Sequence, residues 1–135
     1  MSEASQAKPR VPTPYEALGG EGGLRRLVDA FYDAMESDPA FAELRRIHAP
    51  DLTPMRARLA DFLSGWMGGP AVYAARHPGR PCVMSAHADF PIGQAEAEQW
   101  AACMRKAMGV ADVPPAWIRP LDEAFSRMCK AMRNA

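Results

Sequence analysis

The sequence predicts a single all-α domain built on four amphipathic helices. Three observations carry this. Apolar residues recur at spacings of three and four in four separate stretches, and no alternating β-branched run occurs anywhere. The length, 135 residues, suits one hydrophobic core.

Residues 1 to 13 are polar and proline-containing and read as a flexible tail, with the folded domain over 14 to 135. Beyond the Gly19-Gly20 and Gly22-Gly23 pairs, Leu24, Leu27, Val28, Phe31 and Met35 form a helical stripe that ends near Ser37-Asp38-Pro39. Phe41, Leu44 and Ile47 make a shorter apolar stretch, and Pro50 breaks any helix after His48. Thr53 reads as an N-cap with Pro54 at the first helical position, ahead of an apolar face of Met55, Leu59, Phe62, Leu63 and Trp66. Gly68-Gly69-Pro70 stops that helix. Residues 71 to 92 carry Pro78, Gly79, Pro81 and Pro91 and leave room only for short helical turns. The third long helix follows Ile92-Gly93, with Ala97, Trp100, Ala101, Met104 and Met108 on one stripe, and closes before Pro114-Pro115. The last carries Ile118, Leu121, Phe125, Met128 and Met132, and Pro120 leaves its start open.

Lys plus Arg and Asp plus Glu balance at 16 each, so there is no basic surplus to offset a phosphate backbone or an anionic bilayer. Neither nucleic acid nor membrane is an expected partner. The N-terminal residues have no apolar core of signal-peptide type, and a cytoplasmic location is expected. Three well-separated cysteines, Cys82, Cys103 and Cys129, suit reduced, mostly buried thiols. The 9 methionines fill an irregular core or line a bulky flat ligand equally well.

His87 lies in an apolar segment just before the third long helix. A neutral imidazole there can ligate a metal, although a lone histidine is more commonly a surface or hydrogen-bonded core residue. Zinc would draw on Cys82, His77, His87 and Cys103, but no C-x-x-C or H-x-x-x-H pair presents them as a structural site requires. Covalent c-type haem is excluded by the absence of C-x-x-C-H. A non-covalent haem needs one protein axial bond and apolar contacts, which Phe31, Leu59, Phe62, Phe90, Ile92 and Met104 supply unless each is simply core. Tyr32 borders the stripe of the first long helix and Trp100 lies on that of the third, so each brings a polar tip inward. They donate either to a partly negative dioxygen ligand or to backbone carbonyls. His48 reads as a capping residue in a turn, and His77 as a solvated loop residue. Arg and Asp on the helices read as solvated faces, and no Ser-His-Asp or phosphate-loop pattern supports hydrolysis or phosphoryl transfer.

Taken together, Tyr15-Glu-Ala-Leu-Gly-Gly, Arg26-Leu-Val-Asp-Ala-Phe-Tyr32, Phe62-Leu-Ser-Gly-Trp-Met-Gly-Gly-Pro70, His87-x-x-Phe90-Pro-Ile92 and Gln99-Trp100-x-x-Cys-Met104 resemble the group II truncated haemoglobins over residues 14 to 133. The resemblance implies a globin-like two-over-two helical sandwich around haem b. It makes His87 the proximal iron ligand, Tyr32 the distal phenol and Trp100 the distal indole. His48, Met55 and Phe31 join them around the bound ligand. Leu59, Phe62, Tyr73, Phe90, Ile92 and Met104 become the haem-lining set. Two departures stand out. Met84 and Ala86 occupy positions where the family often has arginines for the haem propionates, which directs attention to Arg56, Arg76 and Arg80. Met55 stands where a small residue is common, and it narrows the route to the iron or offers its thioether.

The expected function is reversible binding of dioxygen, nitric oxide or carbon monoxide at haem iron. Any turnover, such as nitric oxide oxidation, would need an external reductase. A peroxidase-type haem enzyme using Tyr32, Trp100 and His48 is the alternative, and a haem-free helical interaction module is a third reading. A monomer or homodimer is expected.

Overall fold

The computed structural model describes residues 12 to 78 and 92 to 132. His87, Phe90 and Arg80 lie outside the described residues, as do Cys82, Met84 and Ala86.

Helix α1 spans Pro14–Ala17 and is opened by a reciprocal cap: Glu16 donates its N–H to Thr13 Oγ1 at 3.2 Å, and Thr13 donates its own to Glu16 Oε1 at 2.9 Å. Thr13, which the sequence placed in the tail, is thus part of the helix start. Gly19, at φ 99°, reverses the chain in a conformation that favours glycine. Helix α2 follows at once over Gly20–Ser37, so Gly22 and Gly23 form its first turn rather than a preceding loop. Close approach explains Gly23. A Cβ there would lie 1.6 Å from the Leu18 carbonyl oxygen, so only glycine lets α1 fold back onto α2.

A 3-10 turn, Pro39–Phe41, leads into α3, Ala42–Arg46. Asp38 caps the turn by accepting from the Ala40 N–H at 2.9 Å. Helix α4 spans Thr53–Trp66. Thr53 is its first helical residue and not its cap. Asp51 Oδ1 accepts the Thr53 N–H at 3.0 Å instead, a job the sequence did not assign to it. After α5, Tyr73–Arg76, come α6, Gln94–Val110, and α7, Pro115–Met132. Glu96 caps α6 by accepting the Gly93 N–H at 2.8 Å. Pro120 lies inside α7 as its sixth residue, where it cannot supply the N–H that would bond the Ala116 carbonyl, yet the helix continues to Met132.

Helix α2 packs against α6 and α4, and α6 packs against α7, so α6 is the central element. The predicted stripes of α2 and α6 are all buried, as are Leu121, Phe125 and Met128 of α7. Helix α4 is the exception. Leu59, Ala60, Asp61, Leu63 and Ser64 face inward, whereas Phe62 and Met55 are half-buried and Trp66 is 38% exposed. Two polar residues thus occupy the inner face, and three of the five residues of the predicted apolar stripe form its rim. No strand occurs among the described residues, and none of their helices is long and apolar enough to cross a membrane.

Candidate functional site

The residues proposed to meet the ligand gather where α2, α3 and α6 converge. Phe31 and Tyr32 are consecutive on α2 and touch edge to face, with ring centroids 5.0 Å apart at 78°. Phe31 reaches Trp100 of α6 at 5.1 Å, and Tyr32 reaches His48, beyond the end of α3, at 6.2 Å. His48 and Trp100 close the ring by lining one small cavity of about 10 Å³ with Leu44, Ile47, Ile92 and Cys129. Phe31, Tyr32, His48 and Trp100, from three segments, are thus linked by pairwise ring contacts, and two of them share one small cavity.

Two of them carry donors that burial makes consequential. Tyr32 is 4% exposed and Trp100 6%. Burial pushes the Tyr32 phenol well above its ordinary ionisation range, an effect that nearby Arg56 and Arg58 only partly offset, so at neutral pH it is a hydroxyl that can donate. His48 is half-buried rather than exposed. Its Nδ1 donates to the Leu44 carbonyl at 2.8 Å, which caps α3 and turns the ring toward Tyr32. Helix α3 is itself pinned to α6 by Gln99, which accepts the Leu44 N–H at 3.0 Å and donates to Glu43.

Beside this cluster runs the rim of α4. Met55 packs on the core edge, Leu59 is buried, and Phe62 meets Tyr73 edge-on at 6.3 Å. Phe62 and Trp66 also line an open recess of about 440 Å³ with Ala124, Arg127 and Met128 of α7. Ile92 and Met104, two more of the proposed lining residues, are fully packed in the core.

Charge is arranged differently from the sequence reading. Arg56 bridges to Asp29 at 3.1 Å and Asp33 at 2.8 Å, and Arg76 bonds Asp61 at 2.9 Å, so both are committed to carboxylates. His77 is not a solvated loop residue. Its Nε2 donates to Asp61 Oδ2 at 2.8 Å, and its ring lies against Tyr73 at 5.0 Å. Arg58, which the sequence reading passed over, donates from Nη2 to the Tyr73 hydroxyl at 3.2 Å, while its buried Nε has no partner. A buried guanidinium nitrogen left unsatisfied is costly, and an acceptor from outside the described residues or from a ligand would relieve it. The only sequence signal for Arg58 was its place one residue before Leu59.

Of the four zinc candidates, Cys82 and His87 lie outside the described residues. Cys103 is buried in the core and donates to the Phe31 carbonyl at 3.2 Å, and His77 is held by Asp61. Among the described residues no three His, Cys, Asp or Glu side chains cluster as a metal site.

These residues suit a flat amphiphilic ring such as haem: an aromatic rim and open recess for its apolar edge, and a guanidinium whose Nε lacks an acceptor for its carboxylates. Comparison with known proteins agrees. Residues 13–134 match the family described as bacterial-like globin. The chain is 40% identical over 95 residues to the group 2 truncated hemoglobin YjbI of Bacillus subtilis (strain 168), covering 70% of this chain and 68% of that one. Among solved structures it resembles the group II 2-on-2 hemoglobin of Agrobacterium tumefaciens, with TM-score 0.82 and 36% identity over 95% of this chain and 98% of that one. It also resembles a truncated oxygen-avid haemoglobin from Bacillus subtilis, with TM-score 0.78 and 32% identity over 91% of this chain and 100% of that one.

Proposed function

The chain belongs to the bacterial-like globin family, as a group II truncated haemoglobin with the two-over-two fold, and from that premise we propose that it binds dioxygen reversibly at the iron of haem b, with His87 as the axial ligand. The observation that supports this reading is the aromatic cluster in which buried Phe31 touches both Tyr32 and Trp100, two side chains with polar tips from α2 and α6, with His48 against Tyr32. When bound, the haem supplies the iron at which a diatomic ligand is held.

The residues of the chain do the rest. The Tyr32 phenol, kept protonated by burial, and the Trp100 indole each carry a proton to donate on a side chain that is almost wholly buried. A partly negative diatomic ligand would accept these bonds, and its release would have to break them. Phe62 and Leu59 would supply apolar contacts to the haem from α4. Arg58 and Tyr73 together offer a cation and a hydroxyl to a propionate, in place of the Arg56 and Arg76 that α2 and α4 have engaged. That the relative from Bacillus subtilis is termed oxygen-avid supports an oxygen-holding role, and nitric oxide or carbon monoxide would meet the same donors. Sustained turnover of any such ligand would need an external reductase.

Oxygen release from the ferrous, haem-loaded protein tests this. Trp100→Phe and Tyr32→Phe should each speed release by roughly tenfold, as expected for a lost bond to a buried polar acceptor. Unchanged release in both variants, or rapid peroxide turnover with negligible oxygen binding, would overturn the reading.

A further inference from the structure

Arg56 stands on α4 with its guanidinium spread across one face of α2. Nη1 donates to Asp29 Oδ1 at 3.1 Å and to the Asp29 carbonyl at 3.2 Å, Nη2 donates to Asp33 Oδ1 at 2.8 Å, and Glu36 lies 3.6 Å from Nη2. Positions 29, 33 and 36 recur at helical spacing, so the three carboxylates form one ladder, and Tyr32 projects inward beside it. Consequently the guanidinium carbon sits 5.7 Å from the centroid of the Tyr32 ring. The two most closely paired carboxylates are well exposed, and such pairs stabilise the fold little by themselves. What they do is fix the plane and position of a cation that is itself mostly covered. Phe31 and His48 press on the same ring edge-on, at 78° and 79°, and leave it few ways to turn. A lysine would place a point charge there without the planar fork that ties the ring to three partners at once.

We propose that Arg56 is a positioning residue for the Tyr32 phenol, a clasp between α2 and α4 that holds the ring in the orientation from which it donates to the diatomic ligand. This rests on the ligand-binding reading above. It assigns Arg56 a role toward a residue of the protein in place of one toward a propionate, and it makes ligand release sensitive to a contact on the outer side of α2.

The test is a cycle on the haem-loaded full chain, with dioxygen release followed by stopped flow in the wild type, Arg56→Gln, Tyr32→Phe and the double variant. Arg56→Gln should speed release roughly two- to fivefold, the range of a partly covered cation on an aromatic face, and should add nothing once Tyr32 is phenylalanine. Unchanged release in Arg56→Gln, or the same acceleration with and without the phenol, overturns the clasp while leaving the ligand-binding reading intact. Unchanged release in Tyr32→Phe removes the phenol as a donor and overturns the clasp with it, and the ligand-binding reading falls only if Trp100→Phe is silent as well. Should Arg56→Gln fail to retain haem, Asp29→Asn with Asp33→Asn loosens the clasp from α2 alone, and the same coupling to Tyr32 decides the matter.

Discussion

His77 donates its Nε2 proton to the carboxylate of Asp61, 2.8 Å away, and so ties the end of α5 to the buried face of α4. Arg76 bonds the other oxygen of Asp61 at 2.9 Å, with Arg25 of α2 at 4.0 Å. An acid this deeply set, 5% exposed, is tolerated only because three cationic or hydrogen-bonding groups surround it. Asp61→Ala should therefore lower unfolding stability by about 3 kcal/mol, because the fixed partners lose their acceptor. Arg76→Ala removes a half-exposed partner and should cost less than about 1 kcal/mol. Urea unfolding of the two variants checks the asymmetry, and equal losses would contradict it.

The corner between α1 and α2 makes a second prediction. Since a Cβ on Gly23 would meet the Leu18 carbonyl oxygen at 1.6 Å, Gly23→Ala must push α1 away from α2 and should cost about 3 kcal/mol. Gly109, in α6, has nothing within 4 Å of its would-be Cβ. Gly109→Ala should instead stabilise the protein by up to about 1 kcal/mol. Thermal unfolding should move in opposite directions for the two substitutions.

The buried thiols give the pH dependence. Burial raises Cys103 and Cys129 from 9.0 to about 12. Unfolded chains release these protons near 9.0, whereas the folded chain keeps them, so stability is fully present below that point and falls as pH rises toward about 12. Replacing both cysteines by alanine should flatten this alkaline decline in unfolding free energy, even if it lowers stability at neutral pH. An equally steep decline in the double variant would show that other groups cause it.

Much of the fold was legible because three of the long helices bury what their periodicity says they bury. Leu24, Leu27, Val28, Phe31 and Met35, then Ala97, Trp100, Ala101, Met104 and Met108, and Leu121 with Phe125 and Met128, lie inside. Helix α4 misled because its inner face includes Asp61 and Ser64, which a hydrophobic pattern assigns to solvent. Asp61 is satisfied by Arg25, Arg76 and His77, and Ser64 donates to the Pro70 carbonyl at 2.6 Å. Pairings across such separations leave no local signal. The same applies to Arg58, whose orphaned Nε exists only because folding buries it. Tyr32 and Trp100 were singled out because aromatic residues with polar tips on an inward stripe are both packing and chemistry. His48 was singled out only through the family resemblance, since its local context reads as a turn.

The central claim is that the imidazole at position 87 holds haem iron, and absorption spectroscopy of the purified protein titrated with hemin tests it most directly. The wild type should develop a Soret band at one hemin per chain. His87→Ala should keep its helix content by circular dichroism yet fail to hold haem, releasing it to a competing apoglobin. A wild type that shows no Soret band, or a His87→Ala variant that retains haem with an unchanged spectrum, would contradict the account.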